Sequence, residues 1–165
     1  MKRSVLLFAA TAVCCAGGAA RAEEEPRRAD GSIRYSRFLL VGDGVGSIGG
    51  WQVSGARPFG KDLALALDVG GYHAEGDSVF AAMVGPRLGG DGRGRAAFFC
   101  QFLAGLALAP GSGGAFVAHP GVGADIGRVR LQLDWPVITQ YGVAWGAARV
   151  SGGVRFGGSR KPGRP

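Results

Sequence analysis

The sequence predicts an all-β chain: a single eight-stranded antiparallel up-and-down transmembrane β-barrel after a cleaved signal peptide. Three observations predict it. Val129, Leu131, Leu133 and Trp135 alternate with Arg130, Gln132 and Asp134. Successive side chains of a strand point to opposite faces, so this segment has one apolar face and one polar face. The first 22 residues read as an export signal. Glycine, 32 of 165 residues, interrupts every potential helical stretch, and inside a helix it costs roughly 1 kcal/mol relative to alanine. A strand with lipid on one side and a polar lumen on the other satisfies all three.

Lys2 and Arg3 open the signal, and the small and aliphatic residues 4–18 continue it. Ala20-Arg21-Ala22 fits the A-x-A cleavage pattern, and acidic residues follow from Glu23. The apolar run is short for a spanning helix. Cleavage after Ala22 removes three basic residues and no acidic one, which lowers the net charge from +7 to +4. The remaining basic residues are scattered singly, with a small cluster in the tail, so no nucleic-acid-binding surface is expected. Cleavage also removes Cys14 and Cys15. Cys100 is then the sole cysteine, and no intrachain disulfide is expected. Residues 23–32 read as a flexible periplasmic lead-in and residues 157–165 as a disordered basic tail.

Between them, residues 33–156 form the barrel. Eight strand-like runs are expected at 33–41, 50–57, 62–72, 78–88, 96–108, 115–126, 129–137 and 147–156. Most have the about 9–11 residues that a tilted membrane strand needs. Tight turns at 58–61 and 127–128 and a longer break at 89–95 lie at the end of the termini. Breaks at 42–49, 73–77, 109–114 and 138–146 lie at the opposite, outer end. The even strand count brings both termini to one side.

In the third run Leu63, Leu65, Leu67 and Val69 share one face and Asp68 the other. In the last, Val150, Val154 and Phe156 oppose Arg149, Ser151 and Arg155. The first and fifth runs have ambiguous phase. The polar faces together gather Gln52, Ser54, Asp68, Arg87, Asp125, Arg130, Gln132, Asp134, Arg149 and Arg155, with Gln101 the least clear. Eight strands enclose only enough space for side chains to fill. An unpaired buried charge costs several kcal/mol, so these residues are expected to pair across the lumen as a structural plug. The functional alternative is an ion or small-solute path. Trp51, Tyr72, Trp135, Tyr141 and Trp145 lie near strand ends, where aromatics suit the membrane interface.

The layout from about Val45 to Phe156 resembles the small outer-membrane β-barrel proteins of Gram-negative bacteria, of the OmpA and OmpX type. The resemblance rests on Gly50-Trp51-Gln52-Val53-Ser54, Gly85-Pro86-Arg87, Gly121–Asp125, Leu131-Gln132-Leu133-Asp134-Trp135 and the closing residues 148–156. It implies an outer-membrane location, outer-membrane lipid as surroundings, and insertion by the barrel insertion machinery. It also implies that Arg149, Ser151, Val154 and Phe156 stand near the positions of the assembly signal. Ser151 departs from the glycine preferred there, and nine residues follow Phe156, whereas the signal usually ends the chain. The family carries no general catalytic motif.

Other chemistries are weakly signalled. Gly44-Val45-Gly46-Ser47-Ile48-Gly49 matches a dinucleotide fingerprint, but residues 50–60 read as a strand where that site requires a helix. No Cys/His/Asp spacing suits a metal, and no cofactor is expected. Ser78, His73 and Glu75 are the candidates for a lipid-modifying hydrolase. Their closeness in one loop is not the geometry of a triad converging from fixed positions. The expected function is therefore non-enzymatic, as a monomeric envelope or surface-contact barrel. The alternatives are that hydrolase and a soluble lipocalin-like barrel with inverted faces, in which Leu63, Leu65 and Leu67 would point inward.

Overall fold

The computed structural model describes residues 29–39, 48–59, 62–74, 77–89, 96–111, 113–140 and 143–157. They form β1 (Asp30–Leu39), β2 (Gly49–Pro58), β3 (Leu63–Ala74), β4 (Asp77–Gly89), β5 (Ala96–Ala109), β6 (Gly113–Ile126), β7 (Val129–Asp134), β8 (Val137–Gln140), β9 (Val143–Gly146) and β10 (Ala148–Gly157). Every pairing is antiparallel. Neighbours run β5-β4-β3-β2-β1-β10-β7-β6, and the β5–β6 pairing closes the ring.

Ten strand segments make eight staves. β7 and β8 lie end to end along β6, from Ile126↔Val129 to Phe116↔Thr139. Trp135 and Pro136 interrupt them, because proline supplies no N–H to the ladder. β9 and β10 likewise form one stave, broken at Ala147, whose N–H donates to the Pro136 carbonyl at 3.2 Å. The chain is therefore a closed eight-stranded antiparallel barrel, and no helix occurs among the described residues.

Two expected boundaries are corrected. Residues 138–146 are not an outer loop: β8 and β9 pair from Val137↔Gly146 to Gln140↔Val143, so the stave extends and returns as a hairpin. β1 starts at Asp30, within the expected lead-in, because Asp30 and Ser32 already have partners inside the barrel. The remaining lead-in, the signal with Ala20, Ala22 and Glu23, and residues 158–165 lie outside the described residues. The Gly127–Arg128 turn is a two-residue hairpin connection with Gly127 at φ +60°, a left-handed conformation that glycine adopts without steric cost.

The two faces of the wall have opposite character. Ile33, Tyr35, Val53, Leu63, Leu65, Leu67, Phe80, Val84, Phe102, Leu106, Leu131 and Val154 all face outward and are exposed. The buried interior holds arginines, aspartates, glutamines and serines, with an apolar cluster of Ala66, Ala81, Met83, Leu103, Ala107 and Val117. Phe38 and Ile138 pack against that cluster. This is the reverse of a soluble barrel. Leu65 is 44% exposed and Arg130 only 1%, which overturns the lipocalin-like alternative.

Close fit inside a narrow barrel explains several glycines. A Cβ at Gly121 would lie 2.0 Å from Asp134 Oδ1, and one at Gly123 would lie 2.3 Å from the Phe99 ring. The absent side chains are the space that their cross-strand neighbours occupy.

Candidate functional site

The interior polar groups form two clusters. The first, toward the outer end, is built from β1, β2, β3, β7 and β10. Alternation along β1 turns Ser32, Arg34 and Ser36 inward. Arg34 pairs with Asp68 and donates to Gln132. Arg149 donates to Asp134 Oδ2 through Nε at 3.1 Å and Nη2 at 2.8 Å. Its Nη1 donates to Tyr72 Oη at 2.6 Å. Gln132 Nε2 donates to Asp134 Oδ1 at 2.6 Å, and the Gln52 amide stands 2.9 Å from Tyr72 Oη. The two arginines and two aspartates of this cluster balance in charge.

The second cluster lies at the terminus end. Arg130 holds Asp125 with two hydrogen bonds, Nε–Oδ1 at 2.6 Å and Nη2–Oδ2 at 2.8 Å. Arg87 donates to Gln101 Oε1 through Nε at 3.2 Å and Nη2 at 3.1 Å. Asp30 stands among Arg87 and Arg130, both at 3.4 Å, and Arg155 at 3.5 Å. Phe99 lies under two guanidiniums, with its ring centroid 4.7 Å from Arg87 and 5.1 Å from Arg130. Such stacking offers a cation the negative face of the ring.

All ten residues expected on the polar faces lie on the inside of the wall, and so does Gln101. Gln52, Ser54, Asp68, Arg87, Gln101, Asp125, Arg130, Gln132, Asp134 and Arg149 are buried there, and Arg155 is near the rim. Sequence reasoning missed Asp30, Ser32, Arg34 and Ser36. The first strand carries arginine on both parities, Arg34 inward and Arg37 outward, so its phase is ambiguous without its neighbours. Gln101 and Phe99 were obscured because β5 is apolar on both faces.

The aromatics divide. Trp51 faces outward, with its indole over Gly71, where a Cβ would meet Nε1 at 2.9 Å. Trp135 is half-buried beside the β7–β8 break. Tyr72 is a correction: it is 6% exposed and points into the interior, not to the interface. It shares the parity of Asp68 and Gly70, and Gly50 opposite leaves room for its ring. The side chains of Tyr141 and Trp145 lie outside what is described. Of the assembly-signal positions, Arg149 and Ser151 point inward, whereas Val154 and Phe156 point outward.

The remaining candidates carry little chemistry. His73 Nδ1 lies 3.1 Å from Ser78 Oγ on the exposed rim, and their places opposite one another in the β3–β4 register account for the contact. Glu75 lies outside the described residues, as do residues 44–47 of the glycine motif. The residues after that motif form β2 and not a helix. Among the described residues no three His, Cys, Asp or Glu side chains gather as a metal site. Cys100 is the only cysteine among the described residues.

The fold is shared with solved structures. Neisserial surface protein A superposes with a TM-score of 0.57 at 14% identity, covering 79% of this chain and 96% of that one. The N-terminal β-barrel domain of Pseudomonas aeruginosa OprF gives 0.53 at 14% identity, covering 81% and 100%. Ail, the attachment invasion locus protein of Yersinia pestis, gives 0.51 at 14% identity, covering 80% and 100%. No family model and no curated protein matches the chain. The chain thus has the fold of the small eight-stranded outer-membrane barrels of the OmpA and OmpX type.

Proposed function

We propose that this chain is a non-enzymatic, monomeric β-barrel of the Gram-negative outer membrane. In this reading it is exported by its N-terminal signal and inserted by the barrel insertion machinery. One observation carries the reading: the wall is apolar outside and ionic inside. Outside, exposed leucine, valine and phenylalanine side chains require acyl chains around them, since soluble monomers rarely show contiguous apolar patches of more than a few hundred Å². Inside, paired charges fill the lumen as a plug of salt bridges that holds the staves in register.

Three of the four connections at the outer end are short, the exception being residues 40–48 between β1 and β2, and they support an envelope-integrity role over broad recognition. β3 and β4 are joined by residues 75–76, β5 and β6 by 110–112, and β8 and β9 by 141–142. Surface contact is the second reading, favoured by the names of two proteins with this fold, a surface protein and an attachment invasion locus protein. The test is cell fractionation with gel mobility before and after boiling. The expected result is an outer-membrane protein whose mobility shifts on heating. Recovery as a soluble periplasmic protein without a shift would reject the proposal.

A further inference from the structure

Among the described residues the two interior clusters differ in charge. The outer-end cluster sets Arg34 and Arg149 against Asp68 and Asp134. The terminus-end cluster sets three guanidiniums, Arg87, Arg130 and Arg155, against the carboxylates of Asp30 and Asp125. Arg130 takes Asp125 at short range. What is left is weakly shared. Asp30 meets its three arginines at 3.4–3.5 Å, the outer limit of a hydrogen bond, and Arg155 reaches Asp125 at 3.4 Å.

Two buried donors there have no partner among the described residues: Arg155 Nε and the Gln101 amide nitrogen Nε2. The Gln101 side chain is 4% exposed. Its oxygen is committed to Arg87, so its nitrogen remains free to donate. Arg155 and Asp30 stand at the rim, 16% and 17% exposed, so solvent reaches the cluster from the terminus end. An excess buried cation is costly unless a counter-charge joins it. Guanidinium groups offer five donors each and no acceptor.

We propose that the terminus-end mouth of the barrel binds one small monovalent anion of the chloride class. Arg155 and Arg87 hold it beside Asp30, with the Gln101 amide donating to it. Its charge balances the third guanidinium. Asp30 competes with it for the same donors.

The test uses the full mature chain refolded in non-ionic detergent, in sodium gluconate, titrated with sodium chloride at constant ionic strength. Chloride NMR linewidth is the readout, and gel mobility on heating verifies that each variant is folded. The wild type should show saturable broadening that bromide reverses. Arg155→Gln should abolish it. Asp30→Asn, which removes the competing carboxylate at the rim, should shift saturation to lower chloride. Absence of saturable broadening in the wild type would overturn the proposal, and so would full broadening in Arg155→Gln. If Arg155→Gln does not fold, Asp30→Asn decides: unchanged or weaker binding overturns the site.

Discussion

Asp134→Asn tests whether the interior charges act as a pair. Asp134 is fully buried and accepts three hydrogen bonds, two from Arg149 and one from Gln132. Asparagine keeps the shape but loses the charge, and its amide nitrogen must face a donor. The outer-end cluster then holds two guanidiniums against Asp68 alone. The side chain has nowhere to swing, since its Oδ1 occupies the space above Gly121. Breaking a buried ion pair by removing one partner costs about 3–5 kcal/mol. Folding stability is commonly about 5–15 kcal/mol in total, so the loss should be large. The double variant Asp134→Asn/Arg149→Gln leaves Arg34 and Asp68 balanced, and it should regain more than half of the loss. Urea titration of the refolded barrel in detergent, followed by tryptophan fluorescence, measures Asp134→Asn, Arg149→Gln and the double variant. A loss below about 1 kcal/mol for Asp134→Asn, the range of exposed pairs, would refute the reasoning. Strict additivity of the two single losses would refute it too.

Further expectations follow from the same contacts. Tyr72→Phe removes the hydroxyl that accepts from Arg149 and touches Gln52, and should cost about 1–3 kcal/mol in the same titration. Gly121→Ala should prevent recovery of the heat-shifted form, because its Cβ meets Asp134. Gly152→Ala, whose nearest neighbour is Leu131 Cδ2 at 3.4 Å, should fold normally. Leu65→Arg should lower the stability of the barrel in phospholipid vesicles by about 2–4 kcal/mol if that position lies near the bilayer midplane. Equal stability of Leu65→Arg and wild type in vesicles would place that face outside the membrane.

Legibility differed along the chain. β7 and β10 were readable because each puts charges on one parity and aliphatics on the other, as in Arg130, Gln132 and Asp134 against Val129, Leu131 and Leu133. Tyr72 was readable by the same rule, since it lies on the parity of Asp68; its aromatic character and position near a strand end pointed the other way. Pairing partners were not readable. Arg34 lies 98 residues from Gln132, and only closure of the ring brings β1 beside β10 and across from β7. With the expected run ending at residue 137, the 138–146 segment resembled a loop; register on β6 and the Ile138↔Trp145 pairing show the stave continuing past it.

Local order of residue types determined that this chain makes strands, that each strand has a greasy side and a charged side, and that there are eight staves. Those properties depend only on side-chain direction along an extended backbone. Tertiary structure decided which guanidinium meets which carboxylate, which aromatics turn inward, and that, among the described residues, one end of the interior is neutral while the other carries an excess cation. Those depend on curvature and register between distant strands, because a charge excluded from water must find its counter-charge wherever the closed wall places one.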